Sequence, residues 1–90
     1  MEVINLEEKR ITIGEKIIIL KYKLISEVAD GIKLYGIILA QTVSFGDDFI
    51  FSAPNFTEDY ETANKLFGDM VEGTVMGDTF YDIFEDFFVC

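Results

Sequence analysis

Seventeen carboxylates, one thiol and no imidazole are the reactive groups of this 90-residue chain. Without histidine, the commonest general base and the commonest metal ligand are both missing. The thiol, Cys90, has no histidine to activate it and stands at the end of the sequence, so a passive role is expected. No glycine cluster precedes a helix in a phosphate-cradling pattern, and no lysine follows one. Carboxylates are the only plentiful functional groups. Asp78, Asp82, Glu85 and Asp86 fall on one face of a helical segment, but a straight row of acids lacks the looping backbone oxygens that calcium sites use. Asp47-Asp48 fails the calcium-loop spacing because Phe49 and Phe51 occupy the alternate positions, and turn chemistry explains it better. Asn55-Phe56-Thr57 matches a glycosylation sequon but reads as a helix start. Tyr22 and Tyr35 fit cross-strand packing better than catalysis. We therefore expect no enzyme, no cofactor and no metal site.

The charge is unevenly placed. Residues 1–33 carry six acids and six bases, whereas residues 34–90 carry eleven acids against Lys65 alone, which accounts for the net charge of −10. Such a surface repels nucleic acid and anionic lipid and favours solubility or a basic partner. Half the residues are hydrophobic, too many for a disordered chain. The longest wholly apolar run, Ile17–Leu20, is far short of the ~20 residues that span a membrane. MEVINLEEKR lacks the features of a secretory signal, and a single cysteine forms no internal disulfide, so a cytoplasmic protein is expected.

The elements that would position these groups are organised around Lys16–Val43. Asp30-Gly31 supplies the positive φ angles of a two-residue type I′ turn. That turn sets Leu24 opposite Ile37, Tyr22 opposite Leu39, Leu20 opposite Gln41 and Ile18 opposite Val43, all on one face. Val3–Ile13 reads as an edge strand guarded by Glu7-Glu8-Lys9-Arg10, and Gly14-Glu15 as a tight turn of undetermined register. A three-residue loop at Gly46–Asp48 would set Phe49 opposite Phe45 and Phe51 opposite Val43, and Pro54 would end the sheet. Thr57 is the expected cap of a helix whose stripe is Tyr60, Ala63, Phe67, Met70 and Val71, closed by a left-handed residue at Gly73. Asp78 or Thr79 would cap a second helix, burying Phe80, Ile83, Phe84 and Phe87 with Tyr81 and Phe88 to one side. The expectation is one α+β domain over residues 1–90: a four-stranded antiparallel β-meander with two C-terminal helices on one face, ββββαα.

The second sheet face is then left over. Ile17, Ile19, Ile25, Ile32, Leu34, Ile38 and Ala40 project there, diluted by Lys21, Lys23, Glu27, Thr42 and Ser44. Such a patch points to self-association or a protein partner; the alternative is that the N-terminal segment or the strand twist covers it. The candidate interface is Ile17, Ile19, Ile25, Leu34 and Ile38, with Tyr81 and Phe88 as an aromatic extension.

The order Lys21-Tyr22-Lys23-Leu24-Ile25, Leu34-Tyr35-Gly36-Ile37, an acidic-capped helix and Asp82-Ile83-Phe84-Glu85-Asp86-Phe87 resembles a small clostridial family, grouped as a domain of unknown function. The likeness runs roughly from Lys16 onward. It departs before the last helix, where this chain has Gly77-Asp78-Thr79 in place of a frequent histidine or proline. The resemblance implies a cytosolic bacterial protein and transfers no catalytic residue. The expected function is a non-enzymatic interaction or regulatory module, a homodimer with no direct contact to nucleic acid or membrane. The alternatives are an acidic decoy that imitates nucleic acid in a basic protein groove, or a small-ligand binder with a pocket between helices and sheet.

Overall fold

The computed structural model describes residues 1–44, 46 and 48–88, with side chains through residue 84 in the last helix. Four strands, β1 (Glu2–Ile13), β2 (Lys16–Ala29), β3 (Ile32–Val43) and β4 (Asp48–Thr57), form one antiparallel sheet in the order β1-β2-β3-β4. Helices α1 (Tyr60–Glu72) and α2 (Gly77–Phe88) follow. The chain is therefore a ββββαα α+β fold.

The central hairpin pairs Ala29 with Ile32 and Tyr22 with Leu39, and keeps that register from Ile18↔Val43 to the turn. Asp30 and Gly31 take φ angles of 53° and 79°, the left-handed pair a type I′ turn needs. At the first turn Gly14 has φ 62°, and Ile13 pairs with Lys16. The β1–β2 ladder then runs regularly until a bulge between Val3 and Asn5.

The third turn differs from expectation. Gln41 pairs with Phe49 and Leu39 with Phe51, so the loop is longer than three residues and β4 sits four places from the expected register. The expected partner Phe45 lies outside the described residues. The shift is an even number, so Phe49 and Phe51 keep the predicted face. The new register sets Phe51 against Phe80 of α2, with ring centroids 6.1 Å apart.

Pro54 does not end the sheet. It lies within a bulge of β4, after which Thr57 pairs with Tyr35. An edge strand tolerates proline, because the missing N–H removes no ladder bond on its solvent side. Asn55 takes φ 54° to complete the bend. Gly36 is what allows it, since a Cβ there would lie 2.7 Å from the Pro54 Cα and 2.8 Å from the Ala53 oxygen.

Both helix starts also move. Asp59, not Thr57, caps α1: its Oδ1 accepts from the Glu61 N–H at 3.2 Å, while Thr57 Oγ1 accepts from the Asp59 N–H at 3.1 Å. At the far end Gly73 is right-handed (φ −80°), and Thr74 takes the left-handed place at φ 51°. Val75 N–H to Met70 O and Thr74 N–H to Val71 O close the helix as a Schellman motif. α2 begins at Gly77, before Asp78 and Thr79, because Gln41 Oε1 accepts the Gly77 N–H at 3.0 Å. A Cβ on Gly77 would run into the Phe51 ring.

Ala63, Phe67 and Met70 from α1 and Phe80 and Phe84 from α2 close over Ile18, Leu20, Tyr22, Leu24, Ile37 and Leu39. Tyr60 stays exposed, in edge contact with Tyr35. Tyr22 stands at the centre of this core, and its hydroxyl donates to Val75 O at 2.6 Å. Burial pushes its phenol up to about 12. The core thus hangs the connector between α1 and α2 from the middle of the sheet.

Candidate functional site

Among the described residues, no second layer covers the face of the sheet away from the helices. The molecule is 20 Å across its thinnest direction, room for one sheet and one layer of helices. Pairing across the four strands lays this outer face out in rows. One row is Arg10, Ile19, Thr42 and Asp48; the next is Glu8, Lys21, Ala40 and Ile50; the third is Leu6, Lys23, Ile38 and Ser52. Ile17 lies above them, and Leu34 and Ile32 lie beyond them along β3.

The exposures follow from what stands nearby. Ile50 on the outermost strand is 74% exposed, Leu6 54% and Ile17 38%, while Ile19, Leu34, Ile38 and Ala40 are half-buried by their strand neighbours alone. Ile25 departs from expectation: it is only 2% exposed. It pairs with Gly36, and the β4 bulge folds its backbone over the outer side of that glycine. Ile25 is therefore part of the molecule's own packing and is not free for a partner. No pattern of alternation foretells this cover, which comes from an irregular stretch around a proline.

Charge on this face is balanced. Arg10, Lys21 and Lys23 stand with Glu8, Glu27 and Asp48. Lys21 Nζ lies 3.9 Å from Glu8 Oε1, an exposed cross-strand pair of small energetic value. The helix layer is different: Glu58, Glu61, Asp69, Glu72, Asp78 and Asp82 are all exposed there, with Lys65 as their basic neighbour in sequence.

Tyr81 does not join the isoleucines. It lies by the β4 edge on the helix side, its ring 6.0 Å from Phe51 and 5.2 Å from Phe80, with its hydroxyl accepting the Ser52 N–H at 3.4 Å. It blunts an open strand edge instead of extending the outer face. The Phe88 side chain lies outside the described residues, as do those of Glu85, Asp86 and Phe87; so does Cys90. Asp78 and Asp82 are exposed, and no group of three or more potential metal ligands occurs among the described residues.

A cleft of about 470 Å³ lies between β1 and α1, lined by Asn5, Glu7, Lys9, Asn64, Phe67 and Glu72 among others. Lys9 Nζ donates to Thr74 Oγ1 at 3.0 Å at its border. The sequence reading allows for a pocket between helices and sheet but names none of these lining residues; a trace of the cleft is Gly68, a helix-interior glycine with open space where a side chain would stand. No helix among the described residues is long and apolar enough to cross a membrane.

No curated protein and no solved structure matches this chain. A family model does match, and the match takes in the first strand as well as the stretch from Lys16 onward. With a match over residues 1–89, the chain belongs to the Family of unknown function (DUF6514).

Proposed function

We propose that this protein is a non-enzymatic interaction module that self-associates, a second copy of the chain covering the outer sheet face. The observation that carries this reading is the uncovered row structure itself. Ile17, Ile19, Leu34, Ile38 and Ile50 stand in or beside it, with balanced charge, on a chain of net charge −10. Two such chains repel through their helix layers but approach freely through this face. Four strands at ~4.8 Å and about eight residues of usable length give a patch about 20 Å by about 30 Å, so about 1,200 Å² would be buried in total. That is the lower end of specific, stable interfaces.

Sedimentation equilibrium tests the reading. The expected result is a dimer that persists in about 1 M salt, because burial of apolar surface is not screened. A monomer at every concentration would overturn it. The acidic helix layer favours a second reading, a decoy for a basic protein groove. Capture of a basic protein that is lost as salt rises, by a chain that stays monomeric, would favour that reading instead.

A further inference from the structure

We infer that the two copies pack sheet on sheet about a two-fold axis parallel to the strands and midway between β2 and β3, so that Arg10 of each meets Asp48 of the other. The inference rests on the proposed self-association and specifies its geometry. Arg10, Ile19, Thr42 and Asp48 form one row across the sheet, with a cation at the β1 edge and an anion at the β4 edge. Both charged residues are exposed, and neither takes part in an ion pair among the described residues.

An axis along the strands reverses each row of the second copy. β1 then lies over the second copy's β4, and the row sets Arg10 against Asp48 at both ends. The next rows set Glu8 against Ile50, Lys21 against Ala40 and Lys23 against Ile38, so no like charges face each other. An axis running across the strands at the centre of the face does the opposite. It sets Lys21 against a second Lys21 or against Lys23, a juxtaposition that disfavours assembly. Aligned sheets cross at about 30°, which moves the ends of this row by only a few ångströms, within reach of an arginine side chain. The apolar centre holds the copies together, and the two rim pairs choose the orientation.

Charge exchange tests this. Arg10→Asp and Asp48→Arg should each weaken dimerisation about tenfold in low salt, and the double variant should return to within about threefold of the original. The effect of each single variant should shrink in about 1 M salt. Thermal melts of the three variants at low protein concentration report folding separately from association. A dimer indifferent to both single changes, or a double variant no better than either, overturns the orientation and leaves self-association standing. A monomeric unaltered chain overturns both.

Discussion

Strands β2 and β3 build both faces of the sheet from similar residues, yet the faces end in different states. On the inner side Leu20, Tyr22, Leu24, Ile37 and Leu39 are wholly buried. On the outer side Ile17 is 38% exposed and Ile32 46%. Both faces carry aliphatic residues, but the outer one is diluted by Lys21, Lys23, Glu27 and Thr42, so patterning separates them only by degree. The sequence holds two helices, α1 and α2, both docked on the side where the tyrosine hydroxyl and the Gln41 amide can seize the chain between them. On the isoleucine-rich side, among the described residues, the β4 bulge lies over Gly36 beside the buried Ile25, and Ile17 and Ile32 stay exposed. Two polar anchors thus fix the connector in place, while the buried aromatic and aliphatic contacts hold the helices on this side.

Neighbouring residues on β3 offer the sharpest way to break that comparison. Leu39→Ala should cost about 2–5 kcal/mol of stability, read from chemical denaturation, because it opens a cavity under the helices. Ile38→Lys, one position away, should abolish the dimer in sedimentation and leave the stability of the dissociated chain, read at low protein concentration, nearly unchanged. A dimer that survives both Ile38→Lys and Ile19→Lys would remove the outer face from consideration. Gly36→Val comes next in size: its side chain meets the Pro54 backbone, which cannot yield without undoing the bulge, so a loss of a few kcal/mol is expected.

Tyr22→Phe addresses the anchor itself. It leaves Val75 O without its donor and should cost about 1–3 kcal/mol. The pH dependence has a definite sign. The folded phenol is held at about 12 against an ordinary value of 10.0, so the native state keeps its proton more tightly than the unfolded chain. The contribution is full below pH 10 and is lost as pH rises from about 10 through 12, and Tyr22→Phe should flatten that alkaline decline in a denaturation series. The smallest effect is on the outer side. Lys23→Met removes a cation from the centre of the face and should tighten dimerisation a few-fold, with no change in monomer stability.

Much of this was legible in the residues. The central hairpin could be read to the residue because Asp30-Gly31 admits one turn type and a one-place slip would invert both faces. The third turn could not, because nothing local sets the length of the loop that follows Val43. Only the parity of Phe49 and Phe51 survived, since burial depends on parity. Pro54 misled because its usual meaning as a terminator fails on an edge strand opposite a glycine. Thr57 and Asp59 are both good caps, and only the fold decides between them. The outer isoleucines followed from alternation, whereas the burial of Ile25 and the edge position of Tyr81 depend on tertiary contacts with no sequence signal.

The left-handed residue that closes α1 has a cost of its own. A β-branched side chain at φ 51° crowds its own carbonyl, and Thr74 keeps that shape while Gly73, one place earlier, stays right-handed. Thr74→Gly would put a permissive residue in the strained place and make the helix end easier to form, with Gly73 kept because a Cβ there would lie 3.1 Å from the Asp69 oxygen. It would also release the Lys9 ammonium from its hydroxyl. A stiffer helix end gained together with a loosened first strand would show that the crowded threonine is kept to tie the edge of the sheet to the helices.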